Sequence, residues 1–144
     1  MKELVLNNFK SIEDNKYVGV LTFRDYLNLI KEGYINLNQF IDGYHRAIGL
    51  ALIYNENEEI KEVEGFQIDL SINKDGENSV SKNGNGIIIQ SEKIEILDGA
   101  FRTLIISSLD ERFMDSLLTV TIHFYTTQEA KNLIASYSTQ RIDK

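Results

Sequence analysis

Two five-residue phrases carry the residue types from which a site could be built: Asp42-Gly43-Tyr44-His45-Arg46 and Asp98-Gly99-Ala100-Phe101-Arg102. Each follows apolar residues, Phe40-Ile41 in the first case and Ile94 to Leu97 in the second, and each opens an apolar, helix-forming stretch. A strand that ends in Asp-Gly and turns into a helix leaves backbone N–H groups unpaired at the helix start. An arginine one turn in adds a bidentate grip on phosphate. The spacing therefore makes Asp42, Gly43, Arg46, Asp98, Gly99 and Arg102 the candidate phosphate-binding residues. His45 is the candidate catalytic proton carrier, since imidazole is the side chain that exchanges protons near neutral pH. The alternative for His45 is a hydrogen-bonded structural role at a helix start. In the second phrase the structural alternative has Asp98 capping the helix, Gly99 turning the chain, and Arg102 paired with a carboxylate such as Glu95.

The elements that must position these residues follow from hydrophobic period. Phe66, Ile68, Leu70 and Ile72 alternate with Gln67, Asp69 and Ser71, which predicts a half-buried strand. Leu118, Val120, Ile122 and Phe124 predict a second, with His123 on the opposite face. Residues 17–21 read as a weaker strand, and 4–9 as a short strand or arm. Thr22 is an N-cap for a helix over 23–31 that ends at Gly33. Residues 35–40 are too polar for a buried strand and read as a loop. The helix after Gly43 runs to about Tyr54, with Ile48, Leu52 and Ala51 as its inner stripe, and is followed by an acidic, solvated segment to residue 64. Residues 73–86 read as a surface loop. Residues 87–89 and 94–97 read as a β-hairpin about the turn at 90–93. The helix after Gly99 runs to about Phe113. Thr126 or Thr127 caps a last helix with Ala130, Leu133, Ile134 and Tyr137 inward. Helices and strands are intermixed, so the fold class is α+β: a compact single domain with a mixed β-sheet and about four helices. The two motif-helix-strand units read equally well as an internal repeat or as convergent strand-to-helix turns.

Composition narrows the function classes. A chain of 144 residues with 42% apolar content suits one globular domain. No apolar run approaches the roughly 20 residues needed to span a bilayer, so no membrane association is expected. The absence of cysteine removes thiolate catalysis and cysteine-ligated zinc, and fits a cytoplasmic setting. Two histidines are too few for a histidine-rich metal site. The formal charge of −7, from 22 acidic and 15 basic residues, argues against a surface built to wrap nucleic acid, while leaving room for a small local basic site.

The second phrase, the strand at 118–124, the helix from 126 and the trailing Ser138-Thr139-Gln140-Arg141 together resemble the ParB/sulfiredoxin-like superfamily. Within it they resemble the DGQHR-domain proteins, which include regulators of DNA phosphorothioate modification. The resemblance covers roughly residue 33 to the C-terminus, with residues 1–32 as an N-terminal extension of a single domain over 1–144. It implies a ParB/sulfiredoxin-like fold and a nucleotide- or DNA-phosphate-binding function in DNA modification, its regulation or phage–host conflict. The implied ligand is a nucleotide, with Mg as its companion ion, or a local DNA or RNA phosphate. Two departures stand out. Ala100 and Phe101 occupy the places of the family's Gln and His, and the first phrase keeps its histidine at a place more like an upstream Gly-Tyr-Gln-Arg segment. The lost polar pair favours an alternative: a degenerate, non-catalytic protein-interaction or assembly module, such as a virion or complex component, or a homo-oligomer. These residues do not decide between catalysis and binding.

Overall fold

Alternation builds the centre of the molecule. In the computed structural model, which describes residues 2–37, 44–56 and 63–142, Ile68, Leu70 and Ile72 of strand β5 (Gln67–Asn73) are buried. They run parallel to Leu118, Val120 and Ile122 of β9 (Leu117–Tyr125), with Ile68 beside Val120 and Leu70 beside Ile122. The side chains of Tyr44, Glu64, Ile134 and residues 137–142 lie outside the described set.

Around this pair stand β2 (Lys10–Glu13), β3 (Lys16–Thr22), β4 (Ile35–Asn36) and β8 (Ile94–Asp98), giving a six-stranded mixed sheet in the order β2-β3-β9-β5-β8-β4. A separate antiparallel sheet has the order β1-β7-β6, from β1 (Lys2–Asn7), β6 (Ser79–Asn83) and β7 (Gly86–Ser91). The fold is therefore a mix of helices and β-sheet with four α-helices among the described residues: α1 (Phe23–Lys31), α2 (Tyr44–Glu56), α3 (Ala100–Ser107) and α4 (Thr127–Ile142). The stretch 1–32, expected as an N-terminal extension, supplies β1 to one sheet and β3 to the other. Among the described residues no helix is long and apolar enough to cross a membrane.

Local signals placed the helix starts well. The Thr22 hydroxyl accepts from the Asp25 amide at 3.1 Å and caps α1. At α4, Thr126 and Glu129 form a reciprocal capping box, each side chain bonding the other's amide at 3.2 Å.

Five expectations need correction. Residues 35–40, expected as a loop, begin with β4, because buried Ile35 pairs in parallel with Ile94 of β8; residues 38–40 lie outside the described residues. The loop over 73–86 contains β6, because Val80 pairs with Ile89 and draws that polar stretch into a sheet. The proposed hairpin of 87–89 with 94–97 does not exist: β7 and β8 belong to different sheets, since β7 pairs on both sides with β1 and β6. The inner stripe of α2 is Ala47 and Ala51, both fully buried, while Leu52 is 57% exposed. Helix α2 packs on α3, and small residues let the two backbones approach. Finally, α3 ends at Ser107. Asn55 from the end of α2 donates to the Ser108 carbonyl and accepts from the Asp110 amide, satisfying backbone groups that a longer helix would have paired internally. A 3-10 turn (Glu111–Phe113) follows. The side chains of Ile134 and Tyr137, and the acidic segment at 57–62, lie outside the described residues.

Candidate functional site

The second phrase sits where its spacing predicts, at the handover from β8 to α3. Asp98 is the last residue of β8, beside Asp69 of β5. Gly99, rather than Asp98, is the N-cap of α3, in a left-handed conformation at φ 115° and ψ 14°. A glycine has no side chain to offer, so the first-turn amides of α3 receive no side-chain cap from it. The turn needs a glycine twice over: the dihedral disfavours L-residues, and a Cβ there would lie 2.5 Å from Ile68 Cδ1.

The turn is held from beneath. Thr103 donates to the Gly99 carbonyl through its amide at 2.9 Å and its hydroxyl at 2.8 Å. Since that hydroxyl proton is committed to Gly99, the Tyr26 hydroxyl of α1, 2.8 Å away, donates to Thr103 Oγ1. Both side chains are fully buried. Burial pushes the Tyr26 phenol up to about 12. Sequence reasoning had no signal for this chain of bonds, whose partners lie 77 positions apart.

Arg102 is exposed and donates from Nη1 to the Gln67 carbonyl at 2.9 Å, not to Glu95, whose carboxylate meets Lys93 at 3.1 Å and Asn36 at 3.4 Å. Its remaining N–H groups are available to a ligand. Arg46 of the first phrase reaches the same helix turn. Arg46, exposed near the start of α2, stands with its guanidinium carbon 4.7 Å from the centroid of the half-buried Phe101 ring. Phe101 of the second phrase thus carries the arginine of the first. Among the described residues neither guanidinium forms an ion pair. His45 is exposed beside Arg46 at the start of α2. Asp42 and Gly43 lie outside the described residues.

His123 occupies the sheet face opposite the core residues, as its alternation predicts, but only 3% of its side chain is exposed. Its Nε2 lies 3.1 Å from Asp69 Oδ1 and its ring packs 5.1 Å from that of Tyr125. A carboxylate only accepts, so Nε2 carries the proton in this pair. Nδ1 is buried with no hydrogen-bond partner among the described residues. Metal chemistry has no evident seat: among the described residues no three acidic, histidine or cysteine side chains cluster. Comparisons with family models, curated proteins and solved structures return no match for this chain.

Proposed function

We propose that the start of α3 binds the phosphate of a nucleotide or of DNA, in the manner the ParB/sulfiredoxin-like resemblance implies. The observation that carries this reading is the convergence of Arg46 and Arg102, from phrases 56 positions apart (102 − 46), on one glycine-capped helix start. A phosphate at the first-turn amides would meet the positive end of the helix dipole and charge-assisted donors from both arginines. Asp98 and Gly99 shape the turn, and Arg102 braces α3 on β5 while presenting its free N–H groups. Phe101 holds Arg46 at the rim by a cation–π contact, so it positions a binding group instead of plugging the site. His45, next to Arg46, is the side chain placed to pass a proton. A Mg²⁺ ion accompanying a nucleotide would be held through the phosphates, because the described residues offer it no cluster of their own. A cytoplasmic setting, where nucleotides and DNA are at hand, goes with this reading.

Titration of the protein with ATP, CTP and a short DNA duplex, followed by amide NMR and calorimetry, tests it. The Ala100, Phe101 and Arg102 amides should shift saturably with at least one of these ligands. Arg46→Ala and Arg102→Ala should each weaken binding by about 10- to 100-fold, the loss of one charge-assisted contact. Unmoved α3 amides with all three ligands would end the proposal.

A second reading, an assembly module, draws on the exposed Leu52 and Ile53 of α2, at 57% and 59%. Light scattering distinguishes the two: a stable oligomer that ignores every phosphate ligand favours assembly.

A further inference from the structure

A cleft lies where the connection from β1 to β2 meets the β6–β7 turn. Its volume is about 550 Å³ and it is bordered by Asn8, Lys10, Ser11, Lys82, Gly84 and Asn85, which is within the size range of small-molecule sites. The border holds two ammonium groups, two carboxamides and a hydroxyl, and no carboxylate. In a chain with formal charge −7 that composition is unusual. Some cations sit beside acids: Lys16 with Glu13, Arg24 with Glu111 and Lys93 with Glu95. Lys10 and Lys82 form no ion pair among the described residues.

Lys82 is exposed on β6, an outer strand of its sheet. Cross-strand register places it beside Ile87, which in turn pairs with Leu6, and both of these are buried. One step along the same face, Val80, Ile89 and Leu4 fill the equivalent row with apolar side chains. At such an edge the ammonium stays in solvent, and among the described residues no acid pairs with it. The floor of the cleft is fixed, because the β1 and β7 backbones approach so closely at Gly86 that any Cβ there would overlap the Leu6 carbonyl.

We propose that this cleft is a second anion site, which binds a phosphate-bearing ligand between Lys10 and Lys82. Asn8, Ser11 and Asn85 supply neutral donors to the phosphate oxygens. A free nucleotide and a single-stranded nucleic-acid backbone present the same phosphate chemistry. The site is separate from the α3 turn and does not depend on that reading.

Titration of the ¹⁵N-labelled full chain with sodium pyrophosphate, ATP and a twelve-nucleotide oligothymidylate tests the proposal. Pyrophosphate should shift the Asn8, Ser11, Gly84 and Asn85 amides saturably. Lys10→Ala and Lys82→Ala should each weaken that response about tenfold, Lys82→Arg should retain it, and Arg102→Ala should leave it unchanged. Saturation by ATP at least as tight as by pyrophosphate identifies a nucleotide. Tighter saturation by the oligonucleotide, falling steeply with salt, identifies a nucleic-acid backbone. Amides that stay still in millimolar pyrophosphate, or a response that survives in the Lys10→Ala/Lys82→Ala double variant, would overturn the proposal. Shifts confined to Gly99–Arg102 would do the same while sustaining the α3 site.

Discussion

Replacing Gly99 by alanine separates the two physical demands made at the β8–α3 turn. The first is conformational: φ is 115°, where an L-residue costs about 1–3 kcal/mol. The second is steric. The added Cβ would lie 2.5 Å from Ile68 Cδ1 and 3.4 Å from Ile68 Cα. Ile68 is 1% exposed, so its terminal methyl has nowhere to go without displacing neighbours, an overpacking cost of about 1–3 kcal/mol. Together they predict a destabilisation of about 2–6 kcal/mol, a large share of the roughly 5–15 kcal/mol that holds a domain together. Urea unfolding followed by circular dichroism reads this directly. A double variant then apportions it: Ile68→Val removes Cδ1, so in that background Gly99→Ala should cost about 1–3 kcal/mol, leaving mainly the conformational share. Gly49 provides the control. It lies inside α2 with nothing within 4 Å of a Cβ, so Gly49→Ala should stabilise by about 0.5–1 kcal/mol. A Gly99→Ala variant within about 0.5 kcal/mol of the parent would refute this account of the turn, since surface substitutions away from special features fall in that range.

The buried hydroxyl chain predicts an asymmetry. Thr103→Val strands the Tyr26 hydroxyl in the core and should cost about 1–3 kcal/mol, whereas Tyr26→Phe leaves Thr103 bonded to Gly99 and should cost about 1 kcal/mol; urea midpoints at neutral pH compare them. Because the Tyr26 phenol is raised to about 12, its neutral form stabilises the fold fully below the unfolded tyrosine value near 10. That contribution is lost as pH rises from there toward 12. Stability measured across this window should fall less steeply in Tyr26→Phe, and an unchanged slope would count against burial as the cause. The Asp75 carboxylate is held below the ordinary range chiefly by the Thr127 amide at the start of α4, and by the Thr127 hydroxyl. Its stabilising effect is therefore present above the usual carboxylate range and disappears as pH falls through the lowered value. Amide exchange at Thr127 should be faster in Asp75→Asn than in the parent at neutral pH, and the two should converge in acid.

Much of the local structure was legible in the chain. Alternation at 66–72 and 118–124 marks the central strands because a sheet with one buried face imposes a period of two. Thr22 and Thr126 mark helix starts because their side chains satisfy amides only a few residues away. Asp98-Gly99 announced a strand-to-helix turn because only glycine enters that conformation without strain. What sequence could not decide was each matter settled by a distant partner. Residues 87–89 and 94–97 look like two arms of a hairpin, yet β7 pairs with β1 and β6 while β8 pairs with β4 and β5. Helix α2 turns Ala47 and Ala51 inward instead of its larger apolar residues because α3 lies close against it. The meeting of Arg46 with Phe101, the Tyr26–Thr103 bond and the pairing of His123 with Asp69 likewise exist only in the folded chain. Short-range hydrogen bonding and hydrophobic period are written locally, and so the elements and the glycine turn could be read in advance. Which surfaces touch depends on packing summed over the whole domain, and that alone brought Arg46 onto Phe101 in the turn that carries Arg102.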